Sequence, residues 1–267
     1  MVSGSLTEAL LSLPNTSESY KRATQHPFLQ RAGTLSLSTD SLQRWLTQDR
    51  LYALVGYSAF LGTLIAKLPA PIVGPSSSEG ILHRRRLSVL AGAMANIDRE
   101  VGFFEQVAKD NGLDLAAKSK PTAAQNEVDS HPQTSPGSSL VDLGLLNNIT
   151  RGYIDFMVST ASRGTFEEGL VLLWAMEKMY LDAWTYASKH LKSEALSSKA
   201  NQQPGPAKAL LQLIPNWSSA EFAQFVKDIG ELIDGLDVKI DSDLGKRLQE
   251  VWIVTLWYEE RFWQAGE

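Results

Sequence analysis

The side chains best placed for chemistry are three carboxylates embedded among apolar and aromatic residues: Asp49 in WLTQDRLYALVGY, Glu177 in LVLLWAMEKMYLDAW and Glu259 in VTLWYEERFW. Burying a charged group calls for a specific partner and shifts its pKa, so such acids can exchange protons near neutral pH. On a helix Tyr52 follows Asp49 by three residues and Gly56 lies four further, so the three share one face, with room left beside the acid by the glycine. Glu177 has Leu173, Met176, Tyr180 and Trp184 as helical neighbours, and Glu259 lies one turn from Phe262 and Trp263. Each also has a plainer reading. A lone acid can pair with an arginine, and Glu259 beside Glu260 and Arg261 fits the wet stripe of a helix. Tyr153, Tyr180, Trp217, Trp257 and Tyr258 are by the same standard more often core than ligand cage.

Other chemistries drop out. The chain has no cysteine, which removes disulfides, thiolate nucleophiles and zinc-thiolate sites. Of the four histidines, His26, His83, His131 and His190, none has a carboxylate at the three-residue helical spacing of di-iron bundles. Glu127 and His131 are four apart but fall in a Pro- and Ser-rich stretch. Glu79 and His83 share that spacing beside Arg84, Arg85 and Arg86, whose charge opposes a cation, so neither metal nor cofactor is expected. Twenty-five Lys and Arg against thirty Asp and Glu give a net charge of −5, which offers no general pull toward nucleic acid or anionic lipid. No apolar run reaches the roughly 18 residues of a membrane span. The longest, Leu51 to Leu68, is interrupted by Gly56, Ser58, Gly62 and Lys67. MVSGSLTEALLSLP lacks a basic leader and carries Glu8 and Pro14, so the expected compartment is the cytoplasm.

The elements that must position these acids read as helices throughout. Apolar residues recur at three- and four-residue steps over Thr39–Lys67, with Ser41 or Asp40 at its start, and over about Ser78–Asn111, where Asn111-Gly112 supplies a stop. Further helices follow at about Leu140–Arg163, Phe166–Leu191, Ser218–Ile233 and Ser242–Gln264, with Ser218 to Glu221 fitting a capping box. No β-alternation competes. Pro-, Gly- and Ser-rich breaks at 69–80, 115–139 and 197–207 are expected to be flexible, yet none separates two self-sufficient cores. One all-α domain of about seven helices over 1–267 is the economical reading.

At this point ordered blocks of the sequence resemble the TenA family, which includes thiaminase II. These are HPFLQ at 26–30, WLTQDRLYAL at 45–54, ITRGYIDFMVSTASRGTFEEGLVLLWAMEKMYLDAW at 149–184, NWSSAEF at 216–222 and YEERFW at 258–263. The resemblance implies a heme-oxygenase-like helical bundle, a homo-oligomer (dimer or tetramer), and thiamin salvage by hydrolysis of aminopyrimidines. It also implies that Asp49 hydrogen-bonds the pyrimidine amino group and a ring nitrogen, Tyr52 shapes the same wall, Tyr153 stacks on the ring, and Glu259 moves protons. Trp217 stands where the family usually has tyrosine.

One departure changes the expected chemistry. The family's nucleophilic cysteine aligns with Met176, which cannot form a covalent intermediate, so thiamin cleavage by that route is not expected. A branch without this cysteine, found in plants and fungi, is associated with hydrolysis of aminomethyl- or formylaminomethyl-pyrimidine, and WAMEKMYLDAW resembles it. Glu177 then becomes a natural second acid or base, and Trp174, Trp257 and Tyr180 are expected to desolvate the glutamates. The rival reading is a non-catalytic protein that binds hydroxymethylpyrimidine or its phosphate, with Arg50 and Arg84 to Arg86 as candidate phosphate partners.

Overall fold

The computed structural model describes residues 4–69, 74, 76–115, 146–192 and 205–267. The breaks at 69–80, 115–139 and 197–207, the Glu127–His131 pair and the start of the helix expected from Leu140 lie in whole or part outside the described residues. Among those described, every regular element is helical. In chain order these are α1 (Leu6–Leu11), α2 (Ser17–Thr24), α3 (Pro27–Gly33), α4 (Thr39–Leu51), a π-helical turn (Tyr52–Tyr57), α5 (Ser58–Ala66) and α6 (Ser78–Asp110), followed by α7 (Asn148–Arg163), α8 (Phe166–Ser188), α9 (Gly205–Trp217), α10 (Ala220–Asp234), α11 (Asp243–Phe262) and a 3₁₀ turn (Trp263–Gly266). No helix among the described residues is long and apolar enough to cross a membrane.

Side-chain caps set the helix starts, each worth about 1 kcal/mol. Ser38 rather than Ser41 or Asp40 caps α4, its hydroxyl accepting from the Ser41 amide at 3.1 Å. Asp40 instead pairs with Arg44 one turn on. The expected capping box at Ser218 is also displaced. Ser218 still belongs to the end of α9, where its hydroxyl donates to the Ile214 carbonyl at 2.7 Å, so Ser219 caps α10 and Glu221 is left exposed. Between α7 and α8 a full capping box forms at Thr165 and Glu168, while Lys67 donates to the carbonyls of Ser162 at 2.8 Å and Gly164 at 2.6 Å. That ammonium satisfies groups at the negative end of α7 and ties α5 to it.

α8 is the central element, apolar and buried along most of its length and packed against α2, α3, α7, α9, α10 and α11. At one end of it Trp45 stacks on Trp263 and meets Trp184 edge-on, with ring centroids 5.4 Å apart in both cases, and Phe28 closes the cluster. Burial of each such ring stabilises the fold by about 2–3 kcal/mol relative to exposure. Trp263 also donates to the Ala23 carbonyl at 2.7 Å, which fixes the last turns of α11 against α2.

The run expected as one helix over Thr39–Lys67 is α4, the π turn and α5 joined end to end. Bonding from i to i+5 in the turn adds a residue per revolution, so the residue that returns to the Asp49 and Tyr52 face is Tyr57, one later than regular spacing gives. Gly56 is thereby turned away. A Cβ there would lie 2.7 Å from Ile154, so its small size lets α7 approach rather than leaving room beside Asp49.

Candidate active site

α4, the π turn, α6, α7, α8, α9, α10 and α11 enclose a cavity of about 630 Å³. All seven residues singled out in the sequence line it: Asp49, Tyr52, Tyr153, Glu177, Tyr180, Trp217 and Glu259. Trp174 and Trp257 are not among the lining residues: Trp174 stacks on Trp252 in the core at 5.4 Å, and Trp257 is 44% exposed with the Arg261 guanidinium over its ring. Helical phase explains Trp257, which precedes Glu259 by two residues, since two residues turn a helix by roughly 200°. The rings beside the acids come instead from Tyr52, Tyr57, Phe104, Tyr153, Phe222 and Phe262.

Each acid is held at one oxygen by a residue from another element. Tyr153 on α7 donates to Glu259 Oε1 at 2.6 Å, Tyr180 on α8 donates to Asp49 Oδ2 at 3.3 Å, and Tyr57 in the π turn donates to Glu177 Oε1. The second oxygen of each has no protein partner among the described residues. Asp49 and Glu259 are buried, 6% and 4% exposed, and among the described residues no cation pairs with any of the three. Loss of water therefore dominates. Burial pushes Asp49 up to about 7 against the bond from Tyr180, with the negative charges of Glu100 and Glu177 adding to the rise. Glu177 rises to about 7 by burial, opposed by Tyr57 and helped by Glu100. Glu259 rises to about 8 by burial, opposed by Tyr153 and helped by Glu177 and Asp49. Mutual repulsion means that few of these protons leave together near neutrality, so the group holds acids and bases side by side.

The expected cysteine position is filled by Met176, buried beside Glu177, with the Tyr52 hydroxyl against its sulfur at 3.0 Å. A thioether there is neither nucleophile nor proton carrier. The candidate phosphate partners also turn elsewhere. Arg50 pairs with Glu105, Arg85 pairs with Glu231, and Arg86 lies over the Phe166 ring at 5.5 Å. Among the described lining residues the one basic group is Arg99, exposed on α6 and facing Glu221 of α10 at 3.5 Å. Among the described residues no group of three or more His, Asp and Glu side chains could hold a metal.

Tyr57 and Glu100 are among the lining residues that sequence reasoning does not anticipate. Tyr57 needed the π turn, which no sequence pattern announced. Glu100 could have been found: it lies three residues after Ile97 and four before Phe104, both on the buried stripe of α6. Its Oε2 accepts from Asn216 Nδ2 at 2.8 Å and from the Trp217 indole at 3.1 Å.

The bundle thus encloses an acidic, aromatic-walled cavity in the size range of small-molecule pockets. The same fold recurs in solved TenA homologues. The structure of one from Pyrococcus furiosus matches with a TM-score of 0.71 at 22% identity, covering 98% of this chain and 100% of that one. A TenA family transcription regulator from Silicibacter sp. TM1040 matches at 0.69 with 13% identity over 98% and 96% of the two chains. A protein named as a TenA-like thiaminase from Sulfolobus solfataricus matches at 0.61 with 15% identity over 97% and 94%. The chain therefore has the TenA fold, the helical architecture that its sequence blocks led one to expect. No family model matches the chain. A protein of Fusarium pseudograminearum named "Probable transcription factor" is 26% identical over 243 residues, and the chain spans 42% of its length.

Proposed function

We propose that the chain is a member of the TenA family and hydrolyses aminopyrimidines, converting aminomethyl- or N-formylaminomethyl-pyrimidine to hydroxymethylpyrimidine without a cysteine nucleophile. In this reading it forms a single all-α domain that works in the cytoplasm as a homo-oligomer. The observation that carries it is the convergence of Asp49, Glu177 and Glu259, from three helices, on one aromatic-walled cavity, each with one oxygen gripped by a tyrosine and the other unpartnered.

A 4-aminopyrimidine presents an N–H donor beside a ring-nitrogen acceptor. A neutral carboxyl matches that edge with its C=O and O–H, and a carboxylate matches the ring-protonated form. Asp49, with a pKa of about 7, can meet either. Tyr52 and Tyr153, with ring centroids 5.2 Å apart, supply flat apolar surface for the heterocycle. Glu259, at about 8, keeps its proton at neutral pH and can give it to the leaving amine, while Glu177, at about 7, is ionised often enough to take a proton from water. The bonds from Tyr153 and Tyr57 fix where those protons sit.

Met176 favours a second reading, in which the pocket binds hydroxymethylpyrimidine and performs no chemistry. The two separate by turnover. Incubation with aminomethylpyrimidine, its N-formyl derivative and thiamin, followed by mass spectrometry, is expected to give hydroxymethylpyrimidine from the first two. No product from any of them, with tight binding of hydroxymethylpyrimidine, would replace the hydrolase by a carrier or sensor.

A further inference from the structure

The proposed reaction uses three cavity acids and leaves a fourth, Glu100, without a task. Its setting differs from theirs. Asp49, Glu177 and Glu259 are each bonded to a tyrosine hydroxyl, which can donate or accept and so tolerates both protonation states of its partner. Glu100 Oε2 is gripped by two groups that only donate, the Asn216 amide N–H and the Trp217 indole N–H, at 2.8 and 3.1 Å. Burial raises the pKa of Glu100 overall; the two donors oppose that rise by favouring the carboxylate, and they hold it in one orientation from α9. Oε1 receives no hydrogen bond from any described residue, and Glu100 is half-buried and lines the cavity. The charge of Glu100 bears on both Asp49 and Glu177, which places it within electrostatic reach of the proposed ring anchor and of the proposed base.

We propose that Glu100 is a specificity-determining residue: its free oxygen binds an ammonium or amide N–H on the exocyclic substituent of the pyrimidine whose ring edge Asp49 reads. This rests on the hydrolase reading and narrows its substrate class. A cavity of about 630 Å³ exceeds what a single substituted pyrimidine fills, so a second anchor is needed to fix the substituent relative to the ring. An oriented carboxylate discriminates by charge. It favours the cationic free amine over the neutral formamide, and favours both over a substituent with no donor, because burying Glu100 unpaired against an apolar group costs its hydration. Arg99, the neighbouring lining residue, pairs with Glu221 at 3.5 Å rather than with Glu100, and its charge helps keep Glu100 ionised.

The test compares wild-type and Glu100→Gln protein against aminomethylpyrimidine, its N-formyl derivative, and 4-amino-5-methylpyrimidine, which has the ring edge and no exocyclic donor. Glutamine keeps the size and a carbonyl acceptor while removing the charge. The expected result is a loss of about ten-fold or more in kcat/KM for the free amine, about three-fold for the formamide, and a Kd for the methyl compound that is no weaker than in the wild type. Equal losses for all three would reduce Glu100 to a structural support of Trp217 and overturn the proposal, as would no loss for the amine. Asn216→Ala, which removes one of the two donors and leaves Glu100 in place, is expected to reduce the same selectivity; unchanged selectivity there would contradict the positioning by α9. If wild-type protein binds the methyl compound but turns over neither substrate, the hydrolase reading fails, and the Kd of aminomethylpyrimidine in the two proteins still decides the role of Glu100.

Discussion

The cavity and the aromatic cluster beside it share Trp217 and Phe262 yet treat polar groups in opposite ways. In the cluster around Trp45, Trp184 and Trp263, ring packing outweighs hydrogen bonding so far that the Trp45 indole N–H has no partner among the described residues. In the cavity, each of four carboxylates, two buried and two half-buried, is held at one oxygen and has no partner for the other among the described residues. The cluster closes on itself and serves stability. The cavity wall leaves its best acceptors open to whatever fills the cavity, water or a ligand. The shared rings make the first the mount for the second: Trp217 is packed on Trp184 at 4.6 Å and then donates to Glu100.

The comparison is sharpened first by breaking the mount. Trp45→Ala removes the ring on which Trp263 and Trp184 rest and is expected to cost about 3–5 kcal/mol, roughly 10 °C in melting temperature, with ligand binding lost only as the fold is lost. Glu259→Gln tests the opposite side: the amide still accepts from Tyr153, so melting should change little while turnover falls about 10²–10³-fold. A variant that melts early, or keeps its turnover, would contradict the division.

Smaller effects follow from charge. Asp49, Glu177 and Glu259 have folded pKa values of about 7, 7 and 8, above their ordinary carboxylate range, so between about pH 4 and pH 8 the native state binds more protons than the unfolded state. Their contribution to stability is therefore present at low pH and lost as pH rises through that window. The ligand-free melting temperature should fall from pH 5 to pH 8, and Glu259→Gln should flatten the decline; a rise over this range would show that the acids are not buried unpaired. Smallest is Tyr57→Phe, which deletes the donor to Glu177. It should shift the acidic limb of the pH–rate profile upward and lower turnover at pH 7 by about three- to ten-fold, whereas an unmoved limb would take Glu177 out of the titration.

Much of the framework is legible in the sequence because periodicity and caps are local. The stripe of α6, the Gly112 stop with its φ of 67° and the turn into α8 at Thr165 all lie where residue types put them. The convergence of Asp49, Tyr52, Tyr153, Glu177, Tyr180, Trp217 and Glu259 on one cavity follows from their position in blocks that resemble a known family, and periodicity alone would not have joined them. Four things escaped for physical reasons. The π turn has no sequence signature, so Tyr57 was missed and Gly56 was given the wrong neighbour. α9 was hidden because Pro215 falls inside it. α1, α2 and α3 are too short to show a period and hold their shape by packing on α8, α10 and α11. Glu100 reads as one more charge on a long helix until Asn216 and Trp217 are seen to grip it.

The claim common to the catalytic and non-catalytic readings is that Asp49 recognises the edge of an aminopyrimidine, and calorimetric titration of hydroxymethylpyrimidine into wild-type and Asp49→Ala protein tests it most directly. Binding by the wild type and at least a ten-fold loss in the variant, with an unchanged melting temperature, is the predicted result. Equal affinity in the two proteins would mean that the cavity holds its ligand by other groups, and the assignment of the site to pyrimidines would fall with it.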